Sequence, residues 1–218
     1  MKKNKKYNVA FLFDKDNDWI KKKLKLSKID INKKYKFKKF YDYSKIKNYD
    51  VVFILGYTKI IPKNQLDKNK LNLVVHESKL PKGKGFSPVQ WQILEGKIEI
   101  PICIFKVEQK IDSGEIFEIS KIYIPKHCLF NEIRQLQADA TRKIIIKFLK
   151  KFPNVKSVKQ KGSSTYYKRR NQYDDELNIN QSLKNLFNQL RISNNEEYPN
   201  YFYIHKKKFF LKIYRKLK

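Results

Sequence analysis

The chain has 218 residues, with 50 Lys and Arg against 21 Asp and Glu, a formal net charge of +29. That length fits one domain, or one domain with an appendage, and buries a core without disulfide or metal staples. A composition that is 41% hydrophobic and 14% aromatic excludes a disordered basic tail.

The charge invites a nucleic-acid reading. A blander one competes with it. Lys far outnumbers Arg, and with Asn and Ile it is spread along the whole chain as a compositional habit. Phosphate-binding faces lean on Arg as well, whose planar fork holds two phosphate oxygens at once. The bland reading leads, and nucleic acid is not the expected partner. Cys103 and Cys128 lack C-x-x-C spacing and read as reduced thiols of a cytoplasmic protein. No apolar run approaches the ~18 residues of a membrane span. The basic start, Met1 to Lys6, is followed by a short apolar run and then by Asp14, Asp16 and Asp18, which argues against a signal peptide.

In chain order, Val9 to Phe13 reads as a buried strand. Asp14 to Asp18 is a loop or helix cap, and Trp19-Ile20 opens a Lys-rich helix. Val51 to Leu55, ended by Gly56, is a second buried strand, and Leu71 to Val75, ended by His76, is a third. Three apolar strands separated by polar segments predict a parallel sheet covered on both faces. Ligands bind at the carboxyl ends of such strands, where Asp14, Gly56 and His76 stand. Residues 101–107 and 116–124 are two more strands, the second with one wet face, joined through the turn Asp112-Ser113-Gly114. Phe130, Ile133, Ala140, Ile144 and Phe148 give a helix over 130–149, ended by Pro153. Residues 157–178 read as a loop or linker. Leu183, Leu186, Phe187 and Leu190 give a helix with Asn180 as its cap. Tyr201 to Ile204 and Phe209 to Tyr214 form a hairpin. The expected division is 1–152 for the core and 153–218 for the appendage.

Only six glycines occur, and Gly83, Gly85, Gly96 and Gly114 fall within 83–114. A glycine-poor chain that concentrates its glycines is shaping the backbone there. His76 alone reads equally well as a solvated side chain on a rigid surface loop. With Asp112 nearby in the sequence pattern, an active-site loop gains ground.

His76, Ser78, Leu80, Pro81, Gly85 and Pro88, followed by Asp112, Gly114 and Ile116, resemble the signature of the formyltransferases that use N10-formyltetrahydrofolate. Leu55-Gly56-Tyr57 with Ile61-Pro62 is similar to that family's folate-contacting strand end. Further segments resemble the nucleotide-sugar N-formyltransferase subgroup, nearest to enzymes acting on UDP-linked 4-amino-4,6-dideoxy sugars of the pseudaminic-acid-related type. These segments are His76 to Ser78, Trp91 to Lys97, Asn131 to Ala138, Tyr166 to Arg170, Glu176 to Ile179, Leu190 to Ile192 and Asn195 to Pro199.

The resemblance implies a Rossmann-like, mostly parallel α/β sheet with a small C-terminal helix-plus-hairpin appendage. It implies transfer of a formyl group from N10-formyltetrahydrofolate, the co-substrate, to the amine of a nucleotide-linked amino sugar, with no metal. Such a reaction serves surface glycan biosynthesis. His76 is the candidate donor to the formyl oxygen, and Asp112 takes the amine proton or orients His76. The family's Asn, two residues before the histidine, is replaced by Val74. Asn72, four before and on the same strand face, is one candidate substitute, with Glu77, Ser87 or a backbone N–H as the alternatives. Leu55, Gly56, Tyr57 and Ile60 are candidates for folate. Lys82, Gly83, Lys84, Phe86, Ser87, Trp91, Tyr166, Lys168, Arg169 and Arg170 are candidates for the nucleotide sugar, the cations for its diphosphate and the aromatics for its base.

Three alternatives stay open. One is formylation of methionyl-tRNA, for which the segment after the long helix is short, or of a ribonucleotide, whose enzymes usually lack such an aromatic tail. The second is a basic nucleic-acid-binding module, and the third a silent relative, given Val74. A homodimer contact is expected through exposed aromatics of the appendage, such as Tyr201, Phe202, Phe209 and Phe210.

Overall fold

The computed structural model describes residues 6–15, 19–29, 31 and 34–216. Asp16 and Asp18, part of the argument on the N-terminus, lie outside them. Val9–Phe13, Val51–Leu55 and residues 73–75 carry side chains that are apolar on both faces, and their strands become the middle of a six-stranded sheet. Its strands are β1 (Tyr7–Phe13), β2 (Tyr35–Phe40), β3 (Val51–Leu55), β4 (Asn72–His76), β6 (Glu99–Lys106) and β7 (Ile116–Tyr123), in the order β2-β1-β3-β4-β6-β7. The first four run parallel, whereas β6 is antiparallel to β4 and β7 to β6. This is the mixed, mostly parallel α/β sheet expected. Strand β2 was not expected. Its sequence, Tyr-Lys-Phe-Lys-Lys-Phe, is Lys-rich because it is the sheet's edge, where charge discourages pairing with a further strand.

The long helix α4 (Phe130–Lys151) covers one face, packing Ile133, Ile144, Ile145 and Phe148 against Phe11, Phe53 and Ile102 in the main core. The short helix α1 (Trp19–Leu24) lies beside α4. A smaller cluster, with Leu12, Tyr43, Val52 and Leu66, fills the other face. Helix α2 (Lys63–Leu66) and helix α3 (Pro88–Leu94) flank β4 in sequence.

Glu118 on β7 is buried between the ammonium groups of Lys147 and Lys151 of α4. Burial alone would raise its pKa. The hydrogen bonds from the two lysines outweigh burial and hold it below the usual glutamate range. A carboxyl depressed on folding contributes stability above its unfolded value of about 4.3, and loses it as pH falls through the lowered value. Glu118→Gln is expected to flatten that acid-side loss in a pH series of thermal melts.

After α4 the chain forms β8 (Tyr166–Tyr167), which pairs in parallel with β5 (Lys84–Gly85), so the stretch read as a linker is stitched onto the glycine loop. Helix α5 (Leu183–Arg191) is capped by Ser182, whose hydroxyl accepts from the Asn185 amide, and not by Asn180. The hairpin is β9 (Asn200–Ile204) and β10 (Lys207–Leu211), turning at His205-Lys206, both with positive φ. Leu177, Leu186 and Leu190 form a satellite core with Phe202 and Leu211. Tyr201 is buried and Phe202 half-buried rather than exposed, whereas Phe209 and Phe210 are exposed as expected. No helix among the described residues is long and apolar enough to cross a membrane.

Candidate active site

His76 ends β4, where the parallel part of the sheet meets the antiparallel part. It is 6% exposed and lies edge-on to Phe105 of β6. Its Nε2 is 2.8 Å from the Gly83 carbonyl oxygen. A carbonyl only accepts, so Nε2 carries the hydrogen and donates it. Asp112 sits in the turn between β6 and β7 at φ 48, a left-handed conformation that Asp tolerates. Its Oδ2 accepts the Gly85 amide at 2.8 Å. One three-residue loop thus meets the histidine through its first residue and the carboxylate through its third. Cys103, opposite His76 in the β4–β6 register, confirms the neighbourhood. Burial raises its thiol pKa, and the charges of Glu77 and Asp112 raise it further.

The loop is held from outside by the segment around β8. Thr165 Oγ1 accepts the Gly83 amide (2.8 Å), the Thr165 carbonyl accepts the Lys84 amide, and the Tyr167 carbonyl accepts the Phe86 amide. Glycine is required at 85, where a Cβ would lie 2.4 Å from the Tyr167 carbonyl oxygen. Trp91 of α3 fastens the same segment. Its indole N–H donates to the Lys168 carbonyl, and Tyr167 stacks on it at 6.4 Å. Thr165→Val removes one hydrogen bond from the loop facing His76. It is expected to cost about 0.5–1.5 kcal/mol in a denaturant melt and to lower kcat with little change in KM.

The other expected residues divide. Asn72 is not brought to His76. It opens β4, about 13 Å along the strand from its end. Its Oδ1 accepts from the Tyr43 hydroxyl and its Nδ2 donates to the Leu66 carbonyl. Burial pushes Tyr43 up to about 12, keeping it a donor. Asn72 ties the lower end of the sheet, and the family position itself, Val74, packs among apolar side chains.

At the end of β3, the Leu55 side chain is spent in the main core. Gly56 has positive φ, Tyr57 is half-buried, and Ile60 is 88% exposed. Asp14, from the end of β1, accepts from the amide and hydroxyl of Thr58 and fixes this loop.

Among the expected cations, Lys84 is buried with its ammonium over the Tyr166 ring, Lys168 is paired with Asp174, and Arg169 lies over Phe86. Lys82 is exposed. Ser87 and Arg170 instead line a cavity of about 480 Å³ beyond the loop. His76 and Asp112 are not in its lining.

Sequence reasoning offered Glu77 as a stand-in for the family Asn but missed Gln137 and Arg134 as site residues. Glu77 follows His76, and its carboxylate accepts from Gln137 Nε2 of α4 (2.5 Å), whose Oε1 accepts from Arg134 (2.9 Å). Arg134, Gln137 and Thr141 share one helix stripe, and the structure turns Gln137 and Thr141 inward. No group of three or more potential metal ligands occurs among the described residues.

A histidine and an aspartate held against one glycine loop at a strand end agree with what the sequence resembled. The pattern of the family described as formyl transferase matches residues 2–149. The chain belongs to that family. Methionyl-tRNA formyltransferase of Orientia tsutsugamushi is 33% identical over 99 residues, 45% of this chain and 32% of that protein. This formyl transferase family member spans 32% to 48% of the length of such curated relatives. A solved structure of methionyl-tRNA formyltransferase from Clostridium thermocellum shares the fold with a TM-score of 0.79 at 22% identity, over 95% of this chain and 92% of that one. A 4-N formyltransferase from Francisella tularensis shares it at 0.70 and 17% identity, over 97% and 99%.

Proposed function

We propose that the chain transfers a formyl group from N10-formyltetrahydrofolate to the amine of a nucleotide-linked 4-amino-4,6-dideoxy sugar. The observation that carries formyl transfer is the pairing of His76 and Asp112 through one glycine loop. The amine attacks the formyl carbon, forming a C–N bond while the carbonyl electrons move to oxygen. The His76 Nε2–H, which points at the Gly83 carbonyl, is the donor for that oxygen once the loop yields it. Asp112 takes the proton released by the attacking nitrogen. The carbon–N10 bond then breaks, N10 receives a proton, and tetrahydrofolate and the formamide leave. A buried histidine under a short loop excludes water from this exchange. Tyr57 and the exposed Ile60 provide an apolar surface at the end of β3 for the pterin.

Sugar as acceptor is supported by the resemblance of residues 91–97, 131–138 and 166–170, and by fold neighbours described as sugar or 4-N formyltransferases. A second reading, methionyl-tRNA as acceptor, is favoured by the curated relatives. Following tetrahydrofolate release with a panel of UDP- and dTDP-4-amino-4,6-dideoxy sugars tests the first. Turnover on at least one member supports it, and none on the whole panel refutes it.

A further inference from the structure

His76 stands where the sheet supports its strand on one side only. β4 pairs with β6 as far as His76, opposite Cys103, but its pairing with β3 stops at Val74, two residues earlier. The polar groups just past His76 therefore take other partners. Two buried glutamines supply them, both at residue 77. Gln92 of α3, 3% exposed, donates its Nε2 hydrogen to the Glu77 carbonyl at 2.7 Å. Gln137 of α4, 4% exposed, donates its Nε2 hydrogen to the Glu77 carboxylate at 2.5 Å. The residue after the histidine is thus gripped from two helices, by its main chain and by its side chain.

The polarity of the second bond is set from outside. Arg134, three residues before Gln137 on α4, donates Nη1–H to Gln137 Oε1 at 2.9 Å. A guanidinium only donates, so the Gln137 oxygen faces it and the Gln137 N–H faces Glu77, which accepts as a carboxylate. Arg134 is itself held over the Trp19 and Phe130 rings, 4.3 and 5.2 Å from their centroids. Burial lowers the Arg134 pKa to about 10, against the charge of Glu77, which raises it. Guanidinium and carboxylate form an ion pair with the Gln137 amide between them.

Alternation along the strand separates Glu77 from the chemistry itself. Val75 packs in the main core with α4, and Glu77, two residues on, reaches Gln137 on that same side. His76 points the other way, edge-on to Phe105 and toward the loop that Asp112 holds. The carboxylate acts on the imidazole through the backbone they share.

We infer that Glu77 is a positioning residue. Clamped by Gln92 and oriented by the Arg134–Gln137 relay, it fixes the end of β4 so that the His76 Nε2–H keeps its direction. The inference rests on His76 being the donor to the oxyanion. A misplacement of about 1 Å at a reacting group costs on the order of 10²-fold in rate.

The test reverses the polarity of the bond in the full chain. Gln137→Glu sets a second carboxylate against Glu77 and is expected to lower kcat about 10- to 100-fold, with KM for N10-formyltetrahydrofolate within a few-fold. Gln137→Met, which removes the bond without adding charge, is expected to act in the same direction and serves where Gln137→Glu fails to fold. Glu77→Gln keeps an oxygen for Gln137 and is expected to stay within a few-fold of wild type. The double variant Glu77→Gln/Gln137→Glu points an amide at 77 toward a carboxylate at 137 that still accepts from Arg134, and is expected to restore kcat to within a few-fold. Turnover is read as tetrahydrofolate release on the amino-sugar panel. The ring N–H resonance of His76 is read by NMR in the same proteins without substrate, identified among the three histidines as the signal lost in His76→Asn. It is expected to shift in Gln137→Glu and to return in the double variant. An unchanged kcat or an unchanged resonance in folded Gln137→Glu overturns the inference, and so does a double variant that restores neither. A loss beyond 10²-fold in Glu77→Gln overturns it too, by making the carboxylate itself catalytic. No wild-type turnover on the panel, or wild-type turnover in His76→Asn, counts against the proposed function and leaves the resonance to judge the clamp.

Discussion

Asp112→Asn in the full chain is expected to lower kcat for formyl transfer by about 10²–10⁴-fold, the range for loss of a positioned general base. KM for the folate is expected to stay within a few-fold. Asn keeps the left-handed backbone at 112 and an oxygen for the Gly85 amide, so the loop stays in place. What it removes is the carboxylate proposed to take the amine proton. His76→Asn removes the donor to the developing oxyanion, and a loss of about 10²–10³-fold is expected. The double variant should fall little below the worse single one, because the two groups serve one transition state. Steady-state kinetics on variants with wild-type melting profiles decide this. Wild-type turnover in either one contradicts the assignment.

Gly114→Ala carries the largest expected effect on stability. A Cβ there would lie 1.8 Å from the Lys106 carbonyl oxygen, which is backbone and has no flexible end to yield. The clash falls at the junction of β6 and the Asp112 turn, where the Lys106 amide bonds the Glu115 carbonyl. Forcing these strands apart is expected to cost about 1–3 kcal/mol. In a chain of this size that lowers Tm by roughly 2–12 °C, taking about 2–4 °C per kcal/mol. The same displacement moves Asp112, so kcat should fall further than the melting curve alone accounts for. A variant that melts like wild type would show that this junction is not tightly packed.

The elements legible in the sequence were those with an unambiguous burial pattern. β1, β3 and β4 are apolar on both faces because both faces are covered, and a run such as Val51–Leu55 has few other readings. β2 escaped because an edge strand protects itself with lysines, which a basic chain supplies everywhere. The glycine loop was legible through the scarcity of glycine, and His76 and Asp112 through their match to the formyltransferase signature. Asn72 shows the limit of strand periodicity. Period two places it on the face of His76 but says nothing of which end of the strand the site occupies, and Tyr43 and Leu66 claim it at the other end. Arg134 and Gln137 were hidden for a different reason. A polar residue on a helix reads as solvated until the structure shows that its stripe faces inward. The +29 charge is sharpened in the same way, since the cavity beyond the loop is lined by three cations, Arg134, Arg170 and Lys208.

The central claim is tested most directly by supplying radiolabelled N10-formyltetrahydrofolate with two acceptors in the same reaction, a nucleotide-linked 4-amino-4,6-dideoxy sugar and methionyl-tRNA. Wild type is expected to place label on the sugar amine, and the Asp112→Asn variant is expected to place about 10²–10⁴-fold less there. Label appearing on methionyl-tRNA and not on the sugar, or on neither, would contradict the account.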